Sequence, residues 1–280
     1  MGVWDAVLLG MFQGITEFLP ISSSGHLVLL QKILGITEPV MVFDTAVHGG
    51  TLLAVIIVLR RDIWSILRHI VQPLTLYLIV ATIPAVIVAL LFKDWIEHAF
   101  SSGSFLGFAF LVTSVLLLIS DMIYRGNRKP GGLPARLDGP APIRTQDEMN
   151  LIDALFIGLL QAVAIVPGIS RSGATISGAL FRRLDRYFAA RFSFLLSIPA
   201  ILGALVLQIK DLAKTGVSGS GAIGASPIIV GCLVAAVIGF LSISLLLRII
   251  RDHSLRGFAL YTGILGLMVL VDQFATHLFF

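Results

Sequence analysis

Apolar residues run along this chain in long stretches, and its polar positions gather into short clusters between them. Six stretches have the length, about 20 residues, and the scarcity of charge that a bilayer-crossing helix needs. They are 40–59, 73–92, 105–124, 192–209, 227–247 and 257–274. Two further apolar regions are interrupted. The run 4–34 is broken by Glu17, Pro20, Ser22, Ser23, Ser24, Gly25 and His26, and the run 151–181 by Pro167, Gly168, Ser170, Arg171, Ser172 and Gly173. Each arm beside these breaks has about 10 to 17 residues, too few at 1.5 Å per residue to cross a hydrocarbon core about 30 Å thick. The pattern predicts an all-α polytopic membrane protein with six transmembrane helices and two re-entrant helical hairpins. Irregular backbone at membrane depth is tolerated only where protein buries it or a wet cavity faces it. The two breaks therefore predict one polar pocket inside the bundle.

The interrupted regions resemble each other. Gln13-x6-Pro20-Ile21-Ser22-Ser23-Ser24-Gly25 is echoed by Gln161-x5-Pro167-Gly168-Ile169-Ser170-Arg171-Ser172-Gly173 at an offset of about 148 residues, and Gly107-Phe108-Ala109 recurs as Gly257-Phe258-Ala259 at 150. Each half then reads as one hairpin followed by three spans. Three is odd, so the second half is inverted relative to the first, an inverted-topology repeat with the breaks facing each other near the midplane. The expected boundaries are a first repeat over 1–125, a cytoplasmic linker rich in Gly, Pro and Arg over 126–150, and a second repeat over 151–280.

Composition narrows the class. Of 280 residues 57% are hydrophobic and 13% charged, against about 25% charged in a soluble domain. That excludes a disordered chain, a disulfide-stapled module and a nucleic-acid binder. The net charge of +4 reports on orientation instead. Four basic loops hold 15 of the 20 basic residues: Arg60, Arg61 and Arg68; Arg125, Arg128, Lys129, Arg136 and Arg144; Arg182, Arg183, Arg186 and Arg191; and Arg248, Arg251 and Arg256. If both hairpins return to the side they enter from, all four loops fall on one side, which is then cytoplasmic. The other side keeps Lys32, Lys93, Lys210 and Lys214, and Arg171 is left inside the membrane. Cys232, in an uncharged run, is expected to act as a small hydrophobe. The first residues carry neither a basic signal-peptide start nor an acylation motif. Pro84 and Pro199 are expected to kink their spans, and Asp121 and Asp272, near span ends, to be interfacial.

The chemistry concentrates at the breaks. Gln13 and Glu17 are four apart and share a helix face, and Pro20 ends that helix. Ser22 or Ser23 can cap the next helix, with His26 about one turn on. At the second break Ser170, Arg171, Ser172 and Thr175 stand where another half-helix begins. Hydroxyls, free backbone N–H groups and a guanidinium can converge there on an anion such as phosphate. A charge in the membrane costs roughly 2.5 to 3.5 kcal/mol, so Glu17 and Arg171 need a reason. They could simply pair, with the hydroxyls bonded back to helix carbonyls. Convergence of so many polar types in two breaks of an apolar chain favours a site instead. Asp44 and His48, one turn apart in the first span, could face the pocket or pair with each other.

These residues resemble the undecaprenyl-pyrophosphate phosphatases of the bacitracin-resistance type over nearly the whole chain. The family signatures (E/Q)xxxE and PGxSRSxxT match Gln13-Gly14-Ile15-Thr16-Glu17 and Pro167-Gly168-Ile169-Ser170-Arg171-Ser172-Gly173-Ala174-Thr175, with Phe18-Leu19-Pro20-Ile21-Ser22-Ser23-Ser24-Gly25-His26 leading to the family's histidine. The resemblance implies removal of the terminal phosphate of a polyprenyl pyrophosphate, which recycles the lipid carrier for peptidoglycan synthesis and confers bacitracin resistance. It also implies a divalent cation, Mg or Ca, and a bacterial inner-membrane location with the site opening outward. Its partners are then the lipid substrate and membrane lipids, without nucleic acid, and a homodimer is compatible with it. Glu17, Ser23, His26 and Arg171 become the expected catalytic set, and Ser22, Ser24, Ser170, Ser172 and Thr175 the expected phosphate binders. Gln13 and Glu17 become expected metal or orienting groups, although Gln13 stands where some members have Glu.

One mechanism that fits has His26 activating Ser23 while Glu17 orients the imidazole and Arg171 neutralises the transferred phosphoryl group. Direct attack by His26, or a metal on Glu17 activating water, stays open. Ser24-Gly25-His26 also resembles the central motif of another lipid-phosphatase superfamily, but no His follows Ser170-Arg171 at the position that superfamily requires. A different class, a polyprenyl-phosphate flippase or anion transporter, shares the architecture. A purely structural membrane protein leaves the polar breaks unexplained. The topology is testable with Gly126→Cys and Ser218→Cys, each in a Cys232→Ser background. An impermeant thiol reagent should reach Ser218→Cys in intact cells and Gly126→Cys only from the cytoplasmic side. Labelling of both from one side would overturn the inversion.

Overall fold

The computed structural model describes residues 1–36, 41–125, 143–215 and 223–280. In chain order its helices are α1 Val3–Thr16, α2 Ser23–Ile33, α3 Met41–Val58, α4 Arg60–Arg68, α5 Pro73–Leu91, α6 Lys93–Ser102 and α7 Leu106–Arg125. There follow α8 Leu151–Val163, α9 Arg171–Phe181, α10 Arg186–Thr215, α11 Ala225–Asp252 and α12 Arg256–Val271. No strand forms among the described residues; one isolated bridge pairs Arg144 with Leu184. Five helices, α5, α7, α10, α11 and α12, are long and apolar enough to cross a membrane, and α3 makes a sixth when taken with α4, to which it is bent by 76°. Val40, Gly126, Ser218 and most of the expected linker lie outside the described residues.

Both interrupted regions fold as pairs of short helices joined at their polar breaks. α1, α2, α8 and α9 have 14, 11, 13 and 11 residues, so the longest extends about 21 Å. Their starts are encoded locally. Ser22 Oγ accepts from Gly25 N–H at 3.3 Å to cap α2, and Ser170 Oγ accepts from Gly173 N–H at 3.0 Å to cap α9. Asn150 and Asp153 cap α8 reciprocally, each side chain taking the other's backbone N–H at 3.0 Å. Proline sits at the first position of α5, where its missing N–H costs nothing.

Small residues set the closest helix contacts. α1 lies along α11 so tightly that a Cβ on Gly10 would fall 2.6 Å from the carbonyl oxygen of Gly231. α8 lies along α5 in the same manner, a Cβ on Gly158 falling 2.5 Å from the carbonyl oxygen of Ala81. Gly10 and Gly158 are 148 positions apart and Ala81 and Gly231 are 150 apart, the offsets of the sequence repeat. On the outward faces Ile79, Ile83 and Leu90 of α5 and Leu233, Val237 and Leu241 of α11 are exposed, as a helix surrounded by lipid tails requires.

One expectation is corrected. Arg60, Arg61 and Arg68 do not form a loop but belong to α4, whose Ile63 and Ile66 pack on the core while Trp64 and Leu67 stay exposed and Arg68 lies 4.8 Å over the Trp64 ring. Apolar spacing of three to four residues overrode the local charge. Asp121, near the end of its span, is fully buried in protein, and it receives Arg186 Nη2 at 2.6 Å, Ser254 Oγ at 2.8 Å and Arg256 Nε at 3.2 Å. The basic residues of this end are thus partly spent on tying helices together: Arg144 and Arg182 share the buried Asp153 at 2.7 and 2.6 Å, and Arg191 pairs with Asp62. Pro84 and Pro199 lie inside α5 and α10, which continue through them.

Helix contact at Gly158 predicts a contrast within one protein. Gly158→Ala should lower unfolding stability in detergent by about 1 to 3 kcal/mol through overpacking against backbone. Gly203→Ala, with no atom within 4 Å of the added carbon, should be neutral or gain up to about 1 kcal/mol of helix propensity. Equal melting behaviour of the two variants would refute the close approach.

Candidate active site

The two breaks meet. Ser24 Oγ accepts from Gly168 N–H at 3.2 Å, and Ser172 Oγ donates to the Leu19 carbonyl at 2.9 Å, so each break is stitched to the other. Gly168 turns the second break at φ 91°, a region that favours glycine. Behind it Thr113 Oγ1 of α7 accepts from Ser170 N–H at 3.0 Å.

At the junction Glu17 gathers the polar groups. Its Oε1 takes Arg171 Nη2 at 2.6 Å, and its Oε2 takes Ser23 Oγ at 2.6 Å and Gln13 Nε2 at 3.0 Å. Both partners of the ion pair are largely buried. Arg171 also donates to the Ser193 carbonyl at 3.3 Å from Nη1, and Thr175 bonds Ser193 Oγ at 2.6 Å. A cavity of about 210 Å³ opens beside them. Glu17, Ser23, Ser24, His48, Ser170 and Arg171 give its polar wall, and Phe100, Ile165, Ile169 and Ile201 part of its apolar wall. One carboxylate, one guanidinium and a serine hydroxyl in direct contact with the carboxylate suit a site that takes an anionic head and accepts a serine proton.

Of the expected site residues, Glu17, Ser23, Ser24, Ser170 and Arg171 line the cavity; Gln13, Ser22, His26, Ser172 and Thr175 do not. The expected relay from Ser23 through His26 to Glu17 is not formed. His26 is 3% exposed, and its ring nitrogens bond the Ser22 carbonyl at 2.6 Å and Tyr261 Oη at 2.7 Å. The Ser23 hydroxyl reaches Glu17 directly because the turn after Glu17 folds back on it. Ser22 and Ser170 are occupied as helix caps, and the hydroxyls of Ser172 and Thr175 donate to backbone carbonyls.

His48 is the histidine that faces the cavity, with Nε2 3.9 Å from Glu17 Oε2 and Nδ1 on the Asp44 carbonyl at 2.7 Å. The Asp44 carboxylate turns away to Gln31 Nε2 at 3.0 Å. A span histidine one turn from an acid was a visible signal for it. Thr113, Ser193, Phe100 and Tyr261 carried no signal, because each meets the breaks only through the tertiary fold.

Among the described residues no three His, Cys, Asp or Glu side chains form a metal-binding group. Gln13 Oε1 is buried without a hydrogen-bond partner, next to the Glu17 carboxylate. Such oxygens suit a hard cation that draws most of its ligands from substrate phosphates, as Mg²⁺ does, and not a closed protein cage.

Comparison with known proteins identifies the family. The model of the bacitracin resistance protein BacA family matches residues 6–268. The chain belongs to the BacA family. It is 42% identical over 275 residues to an undecaprenyl-diphosphatase of Carboxydothermus hydrogenoformans, covering 98% of this chain and 99% of that one. An undecaprenyl-diphosphatase of Bacillus thuringiensis subsp. konkukian is 42% identical over 270 residues, covering 96% and 97%. One from Methanosphaera stadtmanae is 37% identical over 293 residues, covering 97% and 98%.

The ion pair predicts the sign of an effect on anion binding. Glu17→Gln removes the charge that competes for Arg171, so inorganic pyrophosphate measured by calorimetry should bind more tightly than to the wild type. The measurement is made without divalent cation, and weaker binding in Glu17→Gln under that condition would show that the carboxylate does not compete with the anion for Arg171.

Proposed function

We propose that the chain is an integral-membrane phosphatase that hydrolyses undecaprenyl, or a similar polyprenyl, pyrophosphate to the monophosphate and inorganic phosphate. The observation that carries this reading is the direct contact of Ser23 with Glu17 beside Arg171, in a cavity that is polar at one wall and apolar at the other. Family membership supports it, and neither supports a flippase over an enzyme. Ser23 Oγ attacks the terminal phosphorus and its proton passes to Glu17 Oε2, while the polyprenyl monophosphate leaves. Arg171 exchanges its ion pair for the phosphoryl oxygens, which frees Glu17 to take the proton at the moment the anion arrives. His48, with Nδ1–H committed to a backbone carbonyl, has Nε2 available to accept a proton from the water that releases phosphate from Ser23.

A divalent cation would be held by Gln13 and Glu17 and would help neutralise the pyrophosphate charge. Ser24 and Ser170 contact the head group, whereas Ser22, Ser172 and Thr175 support them from behind. The membrane arrangement proposed is six spans and two re-entrant hairpins in an inverted repeat. It is supported by the matched contacts of α1 on α11 and α8 on α5, and by arm lengths shorter than a bilayer core. Phe100 of α6 lines the cavity and α6 follows α5, which the charge pattern puts at the outer end, so the reading has the site open outward.

Purified protein in detergent should release phosphate from a polyprenyl pyrophosphate. Arg171→Ala should lower the rate on the order of 10³-fold, and Ser23→Ala at least as much. Absence of phosphate release by the wild type, with lipid translocation in vesicles, would replace the enzyme by a transporter.

A further inference from the structure

Tyr261 of α12 has no part in the chemistry described so far, yet it completes a chain that ends at the proposed nucleophile. Its hydroxyl lies 2.7 Å from His26 Nε2, and the two rings stack at 5.7 Å with 7° between their planes. The other ring nitrogen, Nδ1, lies 2.6 Å from the carbonyl oxygen of Ser22. A carbonyl oxygen only accepts, so Nδ1 carries the proton. In the neutral ring Nε2 is then an acceptor, and Tyr261 O–H donates into it. The ring packs among Phe12, Phe110 and Tyr261. The two hydrogen bonds fix the neutral ring in one tautomer.

The carbonyl so gripped belongs to a strained residue. Ser22 has φ 75° and ψ 98°, outside the regions that non-glycine residues ordinarily occupy, and such conformations persist only where surrounding contacts over-determine them. The next residue is Ser23, whose hydroxyl meets Glu17 at 2.6 Å. Gly25 lets this turn sit against α7, since a Cβ there would fall 2.7 Å from the Phe110 ring.

We propose that Tyr261 is a positioning residue for the reaction: it fixes the His26 ring, which holds the Ser22 carbonyl and so keeps the strained turn that aims Ser23 at Glu17. This rests on the reading of Ser23 as nucleophile. His26 then serves geometry, and neither it nor Tyr261 exchanges a proton with substrate. Tyr261 joins the site from a helix 235 residues away in sequence.

Steady-state phosphate release by the detergent-purified full chain tests this. Tyr261→Phe keeps the stacked ring and removes the donor; kcat should fall about tenfold, the effect of one lost hydrogen bond, with KM within about twofold and the limbs of the pH profile unmoved. In a His26→Ala background, or His26→Gln if the first does not fold, adding Tyr261→Phe should change kcat by less than about twofold, because the hydroxyl acts only through the imidazole. His26→Gln, whose amide can donate to the Ser22 carbonyl, should recover part of the rate lost in His26→Ala. Wild-type kcat in Tyr261→Phe, multiplicative effects in the double variant, or a pH limb lost with His26 would each overturn the proposal while leaving Ser23 as nucleophile. Ser23→Ala at wild-type rate would instead remove the nucleophile reading and this inference with it.

Discussion

The ion pair between Glu17 and Arg171 is the constraint on which the rest of the molecule depends. Neither charge could be buried alone without several kcal/mol of cost, and neither half of the chain supplies both. Each sits at the broken end of a short helix, where a continuous helix would have carried it past its partner. The breaks, the prolines near them and the serines that cap the resumed helices follow from the need to bring one carboxylate and one guanidinium to 2.6 Å. Their mutual neutralisation also leaves a site that is stable without ligand and gains a free carboxylate when an anion takes the arginine.

A second, wholly structural set of ion pairs lies at the helix ends. Asp121 and Asp153 are as buried as any core leucine, yet each receives two arginines. These acids bind α7, α8, α9, α10 and α12 into one frame. They also explain how a chain can gather its arginines at one end without that end repelling itself apart. At the frame the acids have only this task, whereas at the site the carboxylate also meets a serine hydroxyl beside a cavity.

What could be read from the sequence was local in origin. Pro20, Pro167 and the serine-rich breaks are punctuation that needs no partner to be recognised, and Gln13, Glu17, Ser23 and Arg171 were found because they stand at that punctuation. The helix spans follow from composition averaged over 20 or so residues, which is why only their ends moved, α10 and α11 running on into basic residues that mark the interface. The orientation of a side chain is a different kind of fact. His26 was expected to reach Ser23 because it lies three residues away, but a strained φ at Ser22 turns the serine towards Glu17 and leaves the imidazole facing α12. No local pattern could disclose that, nor that Asp121 would meet Arg186 and Arg256, nor that α4 would prefer its isoleucines to its arginines.

The paired contacts of Gly10 with Gly231 and of Gly158 with Ala81 have a mechanical meaning. In each, a short arm of one half lies backbone to backbone on a long helix of the other half, so the two halves clasp each other in both directions. Sliding one half past the other would require both clasps to move at once, against main-chain atoms that cannot change rotamer. The molecule is built as a lock with two bolts.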